Sequence, residues 1–176
     1  CERLIVAALL EARPDDSILG EEGTGIEGTS GITWVLDPID GTTNYLYNLP
    51  AYAVSIAATV EDPDAFADGR RGIAAAVYSP RSDEMFDAWL GGGARLNGEA
   101  ISISGNLDLG TSLVGTGFGY TVERKLEQLE LLQRVLPHVR DIRRIGSAAY
   151  DLCMTAAGRL DAFYEKGLQP WDYAGA

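Results

Sequence analysis

A chain of 176 residues is long enough for one domain with a substantial core, and 46% hydrophobic with 23% charged residues is ordinary for a globular protein. Its net charge of -12 opposes nucleic acid and anionic membranes, and no apolar run nears the ~20 residues of a bilayer span. A phosphorylated substrate would meet the same repulsion unless cations invert the local field, so phosphate chemistry here predicts metal ions rather than basic side chains. Two cysteines, Cys1 and Cys153, give neither a disulfide framework nor a metal-finger spacing. A single histidine, His138, cannot build a His-based metal site or a Ser-His-Asp triad. The stretch "CERLIVAALLEARPDD" has charges too close on both flanks for a signal peptide, so a cytoplasmic address is expected.

The chain opens inside a helix, with Leu4, Ala7, Ala8, Leu10 and Glu11 in a 3.6-residue pattern. It stops at "WDYAGA", where another helix would start, and so reads as a fragment. Between them, "RPDDSILGEEGTGIEGTSG" is polar and glycine-rich and predicts a loop carrying Glu21 and Glu22. "GITWVLD" predicts a buried strand ending at Asp37, with a turn at Pro38. Residues 52–60 and 71–79 predict two more strands around an acidic turn at 61–69. Short strands follow to about residue 104, with a turn at Gly91 to Gly93, as in an antiparallel meander.

After a strand at 112–118 the period changes. Val122, Leu126, Leu129, Leu132 and Leu136 share one helical face, which predicts core packing. "DIRRIGS" predicts a short strand or turn. "SAAYDLCMTAAGRL" predicts a helix capped by Ser147 and Gly158, with Cys153 and Met154 in the core. "DAFYEKG" alternates as a strand. One α+β layered domain over 1–176 fits this order, with a subdomain junction near 105–112.

Chemistry concentrates in "WVLDPIDGTTNY", residues 34 to 45. A bend at Pro38 lets Asp37 and Asp40 converge, and leaves the Ile39 carbonyl free to face the same point. Carboxylates with a backbone carbonyl suit a hard cation such as Mg²⁺. Without a cation the two carboxylates repel, and one tends to hold a proton. Asp40 is placed to cap a helix from Gly41, whose N–H groups attract a phosphate oxygen, with Thr42 adding a hydroxyl. Each piece has an ordinary alternative: Asp before Pro and Asp at a cap are common turn chemistry, and Glu21-Glu22 reads equally as a solvated pair. Asp172 in "PWDYAGA" reads equally as an N-cap.

Taken together, "GEE" (20 to 22), "WVLDPIDGTTNY", "RRIGSAAYDLC" (143 to 153) and "WDYAGA" resemble the inositol monophosphatase family of metal-dependent, lithium-sensitive phosphatases, over essentially the whole chain. The resemblance implies a layered αβαβα sandwich of the sugar phosphatase type, usually a homodimer, here truncated at both ends. It implies hydrolysis of a small phosphorylated polyol or sugar with two or three Mg²⁺ ions and an activated water. Carried over by motif, Glu21, Asp37, Ile39 (through its carbonyl), Asp40 and Asp172 would hold metal. Glu21 and Thr42 would help activate the water. Asp40, Gly41, Thr42, Gly146, Ser147, Ala148, Glu165 and Asp172 would contact substrate. Inositol monophosphate is the expected substrate; histidinol phosphate, a sugar bisphosphate or a nucleotide phosphate are the alternatives. Neither nucleic acid nor membrane is an expected partner. The family carries a Thr-Asp pair upstream of the first helix and further elements after the stretch matching "WDYAGA", so this stretch alone is not expected to be competent. A catalytically idle regulator that keeps the fold is the reading from another class.

Overall fold

The computed structural model describes residues 1–65 and 68–176, so the turn expected over 61–69 falls partly outside the described residues, at Phe66 and Ala67. It contains helices α1 (Glu2–Ala12), α2 (Thr42–Leu46), α3 (Val122–Val135), α4 (Ala148–Ala156) and α5 (Pro170–Tyr173). Its first strands are β1 (Ser17–Gly20), β2 (Gly25–Ile26), β3 (Ile32–Asp40), β4 (Ala53–Glu61), β5 (Arg70–Ser79) and β6 (Glu84–Trp89). They are followed by β7 (Gly93–Leu96), β8 (Glu99–Ala100), β9 (Leu113–Thr116), β10 (Asp141–Arg143) and β11 (Ala162–Tyr164).

The strands form two sheets. An eight-stranded sheet has the order β2-β1-β3-β4-β5-β6-β7-β8, and a three-stranded sheet the order β10-β9-β11. From β3 to β8 every neighbouring pair is antiparallel, which is the meander expected from the short strand spacing. The small sheet is parallel throughout. Helix α4 packs against β3, β4 and β5 of the large sheet and against β11 of the small one. It therefore fills the space between the two sheets, giving an α+β layered arrangement. Ala53, Val77, Phe86, Ala149 and Cys153 form the buried cluster at that junction. None of the helices is long and apolar enough to cross a membrane, among the described residues.

Several local expectations are corrected. The segment read as one polar loop contains β1 and β2, because Ser17 to Gly20 pair in parallel with Thr33 to Leu36 and acquire strand geometry from a partner distant in sequence. Strand β3 does not end at Asp37. It runs to Asp40 through a bulge, since Asp37 pairs with Ser55 and Asp40 with Ala53, leaving one extra residue on β3. Pro38, which has no N–H to give, sits inside that irregularity. The leucine face of α3 is not core: Leu126 is 57% and Leu129 44% exposed, and the buried residue of the helix is Gln128. On α1, Leu4 is exposed and Glu2 buried, the reverse of the usual preference. Helix α4 ends at Ala156, and Gly158 lies just past the cap in the left-handed region at φ 69°.

Candidate active site

The bulge in β3 and the starts of α4 and α5 meet at one place. Carboxylate oxygens of Asp37, Asp40 and Asp172 all lie within 4.8 Å of one another there. Asp37 and Asp40 are buried and Asp172 is half-buried. Burial, then Asp40, then Glu21 push Asp37 up to about 9. Asp172 is raised to about 6, chiefly by burial, against the opposing backbone N–H of Gln169. Carboxylates forced together out of water keep their charge only beside a cation. An all-oxygen set of this kind suits a hard divalent ion such as Mg²⁺. Glu21 lies outside this trio; its backbone N–H donates to the Leu36 carbonyl at 3.1 Å, one residue before Asp37, and it helps to raise the Asp37 carboxyl.

Each carboxylate is placed by its own backbone device. Asp37 accepts the Ile39 N–H at 3.0 Å, which fixes the bulge from within. The Ile39 carbonyl, out of the ladder, accepts the Thr42 hydroxyl at 3.0 Å. Asp172 is the third residue of α5 and forms a capping box with Gln169, whose N–H it accepts at 2.7 Å. It is therefore not the N-cap.

Asp40 departs furthest from expectation. Helix α2 starts at Thr42 behind Gly41, whose φ is 88°, and has no side-chain cap. Asp40 caps α4 instead. Its Oδ2 accepts the Ser147 hydroxyl at 2.6 Å and the Ala149 N–H at 2.7 Å, and its Oδ1 accepts the Ala148 N–H at 3.2 Å. Ser147 stands at the cap position but gives its hydroxyl to Asp40, so the capping oxygen of α4 comes from 107 residues away. Three of the carboxylate's acceptor positions are thus spent on the start of α4. Gly41 is required at this junction: a Cβ there would lie 3.0 Å from the Gly146 carbonyl and 3.1 Å from that of Ala51.

Beside the carboxylates opens a cleft of about 120 Å³. Of the residues expected at substrate, Asp40, Gly41, Gly146, Ser147, Ala148, Glu165 and Asp172 line it. Thr42 does not; its hydroxyl is turned to Ile39, and Thr43 lines the cleft in its place. Sequence reasoning missed the opposite wall, Gly117 to Tyr120 with Arg124, and Arg144 beside it. The glycines were its signal. A Cβ on Gly117 would fall 1.8 Å from Glu165 Oε2, so the bare backbone is what admits the Glu165 carboxylate to the cleft. Sequence reasoning also missed Asn44, which is buried and donates to the Ala51 and Ile145 carbonyls at 2.7 and 2.9 Å, joining α2 to the loop before Gly146.

A sequence model of the inositol monophosphatase family matches residues 1–176. The chain belongs to the inositol monophosphatase family. The inositol-1-monophosphatase SuhB of Mycobacterium tuberculosis is 49% identical over 182 aligned positions, which take in 98% of this chain and 60% of that protein. The Nus factor SuhB of Escherichia coli is 39% identical over 98% of this chain and 62% of its own. A solved structure of Mycobacterium tuberculosis SuhB superposes with a TM-score of 0.86, covering 99% of this chain and 66% of that one. The chain thus spans about 60% of the length of the curated family members it matches.

Proposed function

We infer that the protein carrying this chain is a Mg²⁺-dependent phosphatase that hydrolyses a monophosphate ester of a small polyol, inositol monophosphate above all. The observation that carries this reading is the convergence of Asp37, Asp40 and Asp172 within 4.8 Å at the wall of a polar cleft. In a family named for the activity, that is the set of groups the reaction needs. Asp37, Asp40, Asp172, Glu21 and the Ile39 carbonyl would hold the ions. When bound, Mg²⁺ supplies a more acidic water and neutralises charge on phosphate and leaving oxygen. The chain's own residues do the rest. Asp40 locks the bulge of β3 onto α4, so the carboxylates are fixed before substrate arrives. Glu165, raised above the ordinary carboxylate range by burial, faces the cleft where a substrate hydroxyl can donate to it. Glu21, and Thr42 whose hydroxyl is held on the Ile39 carbonyl at the bulge, would orient a water for in-line attack.

The test is phosphate release from myo-inositol 1-phosphate by a chain of full family length, with and without Mg²⁺. Turnover that needs Mg²⁺, that millimolar Li⁺ suppresses and that Asp37→Asn abolishes is the expected result. Turnover of histidinol phosphate or a sugar bisphosphate alone would keep the site and move the substrate. One finding favours a second reading: a 39% identical protein bears the name Nus factor. A regulator would keep its function in Asp37→Asn, and silence on every phosphoester would favour it.

A further inference from the structure

We propose that Glu2 is a positioning residue for metal binding, whose buried carboxylate holds the turn Glu21–Thr24 so that Glu21 is delivered against Asp37. The proposal rests on the reading of Glu21 as a metal-holding group. Glu2 is 3% exposed on a helix that leaves Leu4 77% exposed. Burying a carboxylate in preference to a leucine is costly unless the carboxylate is fully engaged. It is engaged by one feature, the turn that follows β1. Oε2 accepts the Glu22 N–H at 3.0 Å, and Oε1 accepts the Thr24 hydroxyl.

The other hydrogen bonds that hold the turn come from its backbone. Gly20 N–H donates to the Thr24 carbonyl at 2.8 Å, and Gly23 N–H to that of Gly20 at 3.2 Å. Glu21 itself is tied through its backbone N–H to the Leu36 carbonyl of β3 at 3.1 Å, one residue before Asp37. The backbone tie sets where Glu21 starts, and the Glu2 carboxylate sets which way the turn leaves it. Gly20 belongs to the same device. A Cβ there would stand 2.5 Å from Glu2 Oε2, so only glycine lets the carboxylate reach under the turn. The first turn of α1 thus reaches across to the rim of the acidic cluster, a link that no spacing in the sequence announces.

The experiment uses the full-length protein and reads Mg²⁺ affinity directly by calorimetry, alongside the Mg²⁺ dependence of phosphate release and the melting temperature in EDTA. Glu2→Gln keeps the size but offers one acceptor where two are used, so one donor of the turn faces an NH₂ group. The expected result is Mg²⁺ binding weakened roughly tenfold or more, as for other groups that orient metal ligands, with kcat at saturating Mg²⁺ nearly unchanged. Thr24→Val, which removes one of the two donors without touching α1, should weaken Mg²⁺ in the same direction and by less. It decides the matter if Glu2→Gln does not fold. Unchanged Mg²⁺ affinity in the folded variants, with or without a lower melting temperature, overturns the proposal and leaves Glu2 a structural group. Failure of the functional reading looks different, because the unaltered protein would then bind no Mg²⁺.

Discussion

At the scale of single residues, the two aspartates of "WVLDPIDGTTNY" carry opposite loads. Asp40 is spent on structure as well as on the site, because three donors at the start of α4 depend on it. Asp37 has one backbone donor and three acidic neighbours, Asp40, Asp172 and Glu21, and its carboxyl is pushed up to about 9. The sign follows. A carboxyl whose folded pKa lies above its unfolded 3.8 contributes stability fully below pH 3.8, and that contribution is lost as pH rises towards 9. Asp37→Asn places a neutral group of the same shape there. In EDTA at pH 8 it should therefore stabilise the protein by about 1 kcal/mol or more, and the gain should vanish at pH 4. Thermal melts at the two pH values check this. A variant less stable than its parent at pH 8 would mean that the neighbours do not repel as the geometry requires. The motif was legible in the sequence only together with "GEE", "RRIGSAAYDLC" and "WDYAGA", because Asp before Pro and Asp at a cap are ordinary turn chemistry. The partner of Asp40 was not, since a capping oxygen is ordinarily sought next to its helix rather than 107 residues before it.

At the scale of elements, periodicity located most strands and helices but misjudged what they face. The period of α3 is helical, yet its leucines stand exposed and Gln128 is buried, donating to the Lys166 carbonyl at 3.3 Å and accepting the Gly119 N–H at 2.6 Å. An apolar stripe says that a face can be covered, not that these 176 residues cover it. Strands β1 and β2 were hidden for a related reason: four and two residues carry too little pattern, and their partner strand supplies the order. The join between α1 and β3 has a clearer physical basis. Asp16, buried just past the helix, accepts from Arg13 Nε at 2.8 Å and from Trp34 Nε1 at 2.9 Å. The Arg13 guanidinium, with Ser30 and Trp34, holds its carboxyl down at about 2 against the opposing effect of burial. A depressed folded pKa contributes stability above the unfolded value, lost as pH falls through about 2. Asp16→Asn should cost about 1–2 kcal/mol at pH 7, where hydrogen bonds to a charged acceptor are forfeited. Denaturant titrations should show the cost shrinking between pH 4 and pH 2; a cost that is constant over that range would remove the ion pair from the account.

At the scale of the molecule, the site exists only where distant parts of the chain are already assembled. Asp37 and Asp40 come from β3 of the large sheet, Asp172 from α5 near the other end, and α4 wedges between the sheets to join them. An unfolded chain has no such convergence, so Mg²⁺ should bind the folded state almost exclusively. Binding of that kind stabilises by about 2.7 kcal/mol at a hundred times the dissociation constant, or roughly 5–10 °C in melting temperature for a chain of this size. The net charge of -12 supplies a competing explanation, because any salt would relieve general repulsion. The two separate cleanly. NaCl at matched ionic strength should reproduce little of the shift, whereas Asp172→Asn, far along the chain from Asp37, should remove most of it. If NaCl matches Mg²⁺, or if Asp172→Asn keeps the full shift, the carboxylates are adjacent without acting as one site.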